Sequence, residues 1–282
     1  MAKARDVPGL APEIPLREAA ARTIEVRARE VVELQDGVLD VGDIERVHDM
    51  RVATRRLRAV LEAFRPTFEP AAFKPAVAEV KALADALGAR RDPDVALAAV
   101  EAIAHKLPPA ARPGIDAFED ELRADQALGN ELLSQALSRA APFTLAPDRG
   151  DDITFAEHAA AMLDERRGRL RKKGDRALKS GDADDLHATR IAAKRLRYVY
   201  EIAEPCVGER ARRGARVARG LQDLLGELHD CDVMSARVRA RAAEVGIDDA
   251  RYVGFEALAC YLEAKRRVLH REFMQMWPEI EL

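Results

Sequence analysis

The sequence predicts an all-α protein whose chain is written twice. Three observations carry that. Stretches rich in Ala, Leu, Arg and Glu repeat their apolar residues at helical spacing. No Val/Ile/Thr-rich run alternates long enough to build a sheet. And residues 47–62 return nearly intact as residues 186–201, both copies free of Gly and Pro. Aligned, His48 meets His187, Arg51 meets Arg190, Arg55 meets Lys194, Arg56 meets Arg195, Leu57 meets Leu196 and Arg58 meets Arg197.

Taken in order, residues 1–15 hold three prolines and a glycine without periodicity and read as a mobile lead-in. The first helical half covers 16–140. It opens with a helix over 16–34, breaks at Asp36-Gly37 and Gly42-Asp43, and continues in the organising helix, 44–64, stopped by Pro66 and Pro70. A helix over 75–87 is expected to end at Gly88 as a left-handed cap, and Asp94 to N-cap another reaching Lys106. After Pro108, Pro109 and Pro113-Gly114, a further helix spans 115–140. Residues 141–152, with two prolines and a glycine, form the linker between halves. The second half, 153–282, repeats the order. A helix over 155–173 leads to the second organising helix, which Pro205 ends; then come 210–225 ending at Gly226, 232–244, and a long helix over 249–276.

On a wheel of about 100° per residue with His48 at zero, Arg51, Arg55 and Arg58 fall at roughly 300°, 340° and 280°. Met50, Ala53, Leu57, Val60, Leu61 and Phe64 occupy roughly 120° to 220°, the opposite side. The second copy repeats both stripes, with His187, Arg190, Lys194 and Arg197 on the basic one. A single basic stripe is usually a solvated face. Here the same positions are cationic, or a titratable His, in both copies, although like charges one turn apart cost roughly 0.2–0.5 kcal/mol per pair. An anion would offset that cost.

Charge at 34% with hydrophobic residues at 48% describes a soluble globular protein, with no apolar run fit to cross a bilayer and no signal-peptide pattern. A net charge of −3 excludes a generally basic nucleic-acid binder, so the cations must be concentrated locally. Aromatics at 5% argue against a base-stacking platform. Cys206, Cys231 and Cys260 form no Cys-x-x-Cys pair and read as reduced thiols of a cytoplasmic protein.

A second block is also doubled. Leu83-Ala-Asp85-Ala-Leu87-Gly88 followed by Arg91-Asp92-Pro93-Asp94-Val95 lines up with Leu221-Gln-Asp223-Leu-Leu225-Gly226 followed by His229-Asp230-Cys231-Asp232-Val233, and Lys81 matches Arg219. With these paired motifs the chain resembles the CHAD family, the conserved histidine α-helical domain, from about residue 15 onward. The resemblance implies two pseudo-twofold-related helical bundles around a central basic groove or pore that binds inorganic polyphosphate. It is similar to the stand-alone type, without the triphosphate-processing domain that some members carry.

That likeness implies binding roles for His48, Arg51, Arg55, Arg58, His187, Arg190, Lys194 and Arg197, with Arg56, Arg195, Lys81 and Arg219 in a second tier. Arg56 and Arg195 fall at roughly 80°, on the other flank of the apolar stripe. Arginine suits phosphate because its planar fork bonds two oxygens at once. His48 and His187 would act best as imidazolium, so binding should strengthen with acid. A metal reading would join these His to Asp92, Asp94, Asp230 and Asp232, but neighbouring arginines oppose a dication and no metal or cofactor is expected. Asp92 and Asp230 suit orienting arginines or bracing the turn. His105, His158 and His270 lack matched partners and read as structural. No nucleophile elbow, P-loop or carboxylate pair is present, so the expectation is a binding module at cytoplasmic polyphosphate granules, not an enzyme. Membrane and nucleic acid are not expected partners; other proteins at the granules are. The alternative is a phosphate-transfer or triphosphate-hydrolysing enzyme that uses the same groove with a divalent metal.

Overall fold

The computed structural model describes residues 4–139, 143 and 145–281, and among them the regular structure is entirely helical. The elements are α1 (Leu16–Glu33), α2 (Ile44–Ala63), α3 (Pro70–Ala104), α4 (Arg112–Arg139), α5 (Phe155–Ser180), α6 (Ala183–Val207), α7 (Glu209–Val245) and α8 (Tyr252–Met276), with short 3-10 turns after α2, α3 and α8. The all-α reading holds. No strand forms among the described residues, where Pro15 and Thr154 make an isolated β-bridge. No helix among them is long and apolar enough to cross a membrane.

Three expectations change. Gly88 does not end a helix and Asp94 does not begin one: both lie inside α3. Gly226 and Asp232 likewise lie inside α7, and Pro205 lies inside α6. An interior Gly costs about 1 kcal/mol and an interior Pro about 3 kcal/mol relative to Ala, yet buried residues run along α3 and α7 on both sides of these positions, and Pro205 falls in the last turn of α6. Val80, Leu87, Val100 and Ile103 are buried along α3, and Ala218, Leu221, Leu225, Leu228, Cys231 and Val238 along α7. Packing on both sides outweighs the local penalty.

The lead-in has contacts of its own, Arg5 and Pro8 with side chains of α1, and the Pro12 and Ile14 carbonyls with the Ala156 and Phe155 N–H groups. The Arg5 N–H donates to the Glu30 carboxylate (2.8 Å), Arg27 donates to the Arg5 carbonyl (2.7 Å), and Arg22 to the Pro8 carbonyl (3.2 Å). Side chains of α1 thus satisfy backbone groups that the prolines leave without regular partners. Residues 1–3, and residues 140–142 and 144 around the start of the expected linker, lie outside the described residues.

The chain gathers into two compact units that do not follow its order. One comprises Met1–Asp92, Gln126–Arg166 and Arg195–Ala215; the other comprises Pro93–Asp125, Arg167–Lys194 and Arg216–Leu282. The dividing points therefore fall within α3, α4, α5, α6 and α7, and this division is distinct from the two halves of the sequence repeat.

In the first unit, α2 turns its apolar stripe inward: Met50, Ala53, Leu57, Val60, Leu61 and Phe64 are all buried. Phe64 meets Phe155 at 6.0 Å between ring centroids. His158 is structural, its Nε2 lying 2.8 Å from the Ala63 carbonyl at the end of α2. In the second unit, Trp277 is 1% exposed and lies flat against Gly174, where an added Cβ would come within 2.0 Å of the ring. Its indole N–H donates to Asp175 (3.0 Å) and the Arg171 guanidinium stands 5.5 Å from the ring centroid.

Candidate functional site

With its apolar stripe buried, α2 must present His48, Arg51, Arg55 and Arg58 along the opposite side, and the first unit surrounds them with a mixed set of partners. Arg51 donates to Asp92 at 3.0 Å across from α3, where the carboxylate is 69% exposed. Arg58 pairs with Glu62 one turn on, at 3.3 Å. Its counterpart Arg197 pairs with the matching Glu201 at 3.6 Å but is itself only 6% exposed. The Arg197 guanidinium lies 4.5 Å from the Tyr198 ring centroid and that of Arg55 lies 5.9 Å from it, within reach for cation–π attraction.

Arg55 is the exception among these arginines. It has no carboxylate partner among the described residues, and its Nε is buried without an acceptor. Burial, with Arg51 and Arg197 adding repulsion, lowers its hold on its proton, and only Tyr198 opposes this.

The second unit carries His187, Arg190 and Lys194 on the first turns of α6. Arg190 repeats the condition of Arg55: its Nε is buried without an acceptor and no carboxylate pairs with it among the described residues. His187 faces His229 of α7 at 4.3 Å between ring centroids, the rings tilted by 44°. Lys194 is half-buried. Beside this group Asp232 is held by Arg266 of α8 at 3.0 Å.

The second-tier residues scatter. Arg56 is buried and reaches Glu201 at 3.7 Å, sharing that carboxylate with Arg197. Lys81 is exposed and pairs with Asp85 on its own helix. Arg195 and Arg219 are exposed. Asp92 orients Arg51, and Asp94 is buried within α3. Among the described residues no group of three or more His, Cys, Asp or Glu is placed to hold a metal ion.

The histidines start from the neutral side. Burial first, then Arg91, holds His48 below its ordinary pKa. Burial, His229, Arg190 and Lys194 do the same to His187, and burial with Arg190 to His229. Each has at least one cation beside a partly buried imidazole, and an incoming anion would raise its proton affinity.

Sequence reasoning missed Arg91 and His229 as site residues. The signal was present: both occupy the same place in the second doubled block, and each approaches the histidine of its own row. The Gly and Asp residues of the block signal a helix boundary in sequence, whereas the block lies inside a helix and supplies a side chain.

Comparison with known proteins identifies the family and the fold. The chain matches the family model for the CHAD domain over residues 22–239. It is similar to the crystal structure of the CHAD domain from the plant Ricinus communis, at a TM-score of 0.71 and 23% identity over 97% of this chain and 96% of that one. It is also similar to PptA from Streptomyces chartreusis, at a TM-score of 0.72 and 15% identity over 94% of this chain and 99% of that one. At such identities these two structures establish a shared fold. No curated protein matched.

Proposed function

The chain belongs to the CHAD domain family, and from that membership and the two cationic rows we propose that it binds inorganic polyphosphate without turning it over. One observation carries the reading: Arg55 and Arg190, one in each row, are partly buried cations with an unsatisfied Nε, no carboxylate partner among the described residues, and further cations beside them. A buried donor without an acceptor costs about 1–3 kcal/mol, and repulsion between neighbouring cations adds to it. A chain of phosphates supplies acceptors and negative charge together. Polyphosphate would be held through many ionic contacts and counterion release, as a nucleic-acid backbone is. In the cell this chemistry suits residence at polyphosphate granules.

Charge reversal at both rows, Arg51→Glu with Arg190→Glu, should abolish polyphosphate binding in a direct titration while circular dichroism shows helicity intact. Unchanged affinity would remove the site from these rows. In the native chain log Kd should rise steeply with log salt, and a flat response would mean a non-ionic ligand. Release of phosphate from polyphosphate or ATP with magnesium would replace the binding module by the hydrolase reading.

A further inference from the structure

The two rows are not equivalent, and the difference lies at one aligned position. Where the first row has Arg91 beside His48, the second has His229 beside His187. A guanidinium is charged at every physiological pH; an imidazole is not. We infer that the facing imidazoles of His187 and His229 form a phosphate-oxyanion subsite that becomes fully cationic only in acid, so that the second row's grip on polyphosphate is gated by protons while Arg91 leaves the first row's grip less so. This rests on the polyphosphate reading above and adds a regulated subsite to it.

The geometry supports an anion at the nitrogen edges of these rings. At 4.3 Å between centroids the two imidazoles are in contact, and the His187 Nδ1 is buried without a hydrogen-bond partner. A neutral imidazole carries one donor, an imidazolium two, so protonation adds a donor on each ring, and the His187 Nδ1 is left wanting a partner. The groups facing the pair are of both signs. From α6 come Arg190, Lys194 and, opposing them, Asp184. From α7 comes Asp232, which Arg266 of α8 engages at 3.0 Å, while the adjacent Asp230 has an interaction of its own. His270 of α8 feels the same Arg266 and Asp232. Without an anion, two imidazolium rings in contact beside Arg190 and Lys194 repel, which keeps the pair neutral near neutral pH. With an anion the repulsion turns to attraction, and binding takes up protons. Each proton taken up steepens affinity by about tenfold per pH unit between the free and bound pKa values.

The test is the affinity of the full chain for polyphosphate of defined length from pH 5 to 8 at fixed ionic strength, beside His229→Arg and His229→Gln. His229→Arg installs the first row's residue and should bind at pH 8 more tightly than the native chain, with a shallower pH slope. His229→Gln should lose the acid gain and bind more weakly at pH 5. His48 titrates in every form, so the difference between slopes isolates the pair. Imidazole C–H resonances of His187 and His229 should titrate at higher pH with polyphosphate present. Equal slopes in all three proteins, or resonances that polyphosphate leaves unmoved, overturn the gate while leaving polyphosphate binding standing. Failure to bind at every pH defeats the polyphosphate reading itself, and the gate with it.

Discussion

Arg58 and Arg197 hold the same place in the repeat and meet the same kind of glutamate one turn on, but their surroundings differ. Arg58 and Glu62 are about one third exposed, where an ion pair contributes little. Arg197 is enclosed over Tyr198 and shares Glu201 with Arg56. Arg197→Ala should therefore destabilise the fold by about 2 kcal/mol in urea unfolding, since Glu201 keeps only its longer contact to Arg56. Arg58→Ala should stay within about 0.5 kcal/mol. Arg55 predicts the opposite balance. Replacing an enclosed cation that lacks a carboxylate partner with Met should leave stability unchanged or raised, while weakening polyphosphate binding and lowering its salt slope by about 1. A residue whose loss costs binding but not folding is set aside for a ligand, and Arg197 should show the larger cost to folding.

The helices test how local signals compete with packing. Gly88 has ordinary helical space around it, the nearest atom to an added Cβ being an Asp92 oxygen at 3.9 Å. Gly88→Ala should stabilise by about 1 kcal/mol, whereas at a left-handed cap it would destabilise. Gly174→Ala should destabilise by roughly 1–3 kcal/mol, because its methyl group would enter the Trp277 ring. Thermal or urea unfolding reads both. The contrast explains what was legible. The buried face of α2 could be read from Met50 to Phe64, since periodicity alone decides it. The continuity of α3 and α7 could not, because Gly88, Pro93 and Gly226 are true local breakers that only the stripe of buried neighbours overrules. The same misreading concealed His229: a residue assigned to a turn is not asked which helix it faces.

For the whole molecule, the depressed histidines set a pH window. His48, His187, His229 and His270 all lie below their ordinary pKa in the folded chain, burial being the largest cause in each. Below about pH 6.5 the unfolded chain therefore binds protons that the folded chain resists. Stability is whole above that pH and declines as pH falls through the lowered folded values. The urea midpoint should drop between pH 7.5 and 5.5, and added polyphosphate should restore it, because an anion reverses the repulsion felt by His187 and His229. Acid loss from the paired carboxylates belongs to a lower range and is separable. An acid-side midpoint insensitive to polyphosphate would detach these imidazoles from the ligand.

The interleaving of the two compact units has a practical consequence for anyone dividing the gene. Because the chain passes from one unit to the other inside five helices, no single scission releases either unit intact. A cut near residue 146 leaves each fragment holding pieces of both, with hydrophobic stripes bared along α4 in one and α5 to α7 in the other. The molecule is therefore suited to a split reporter: its fragments have reason to reassemble, and little reason to fold apart.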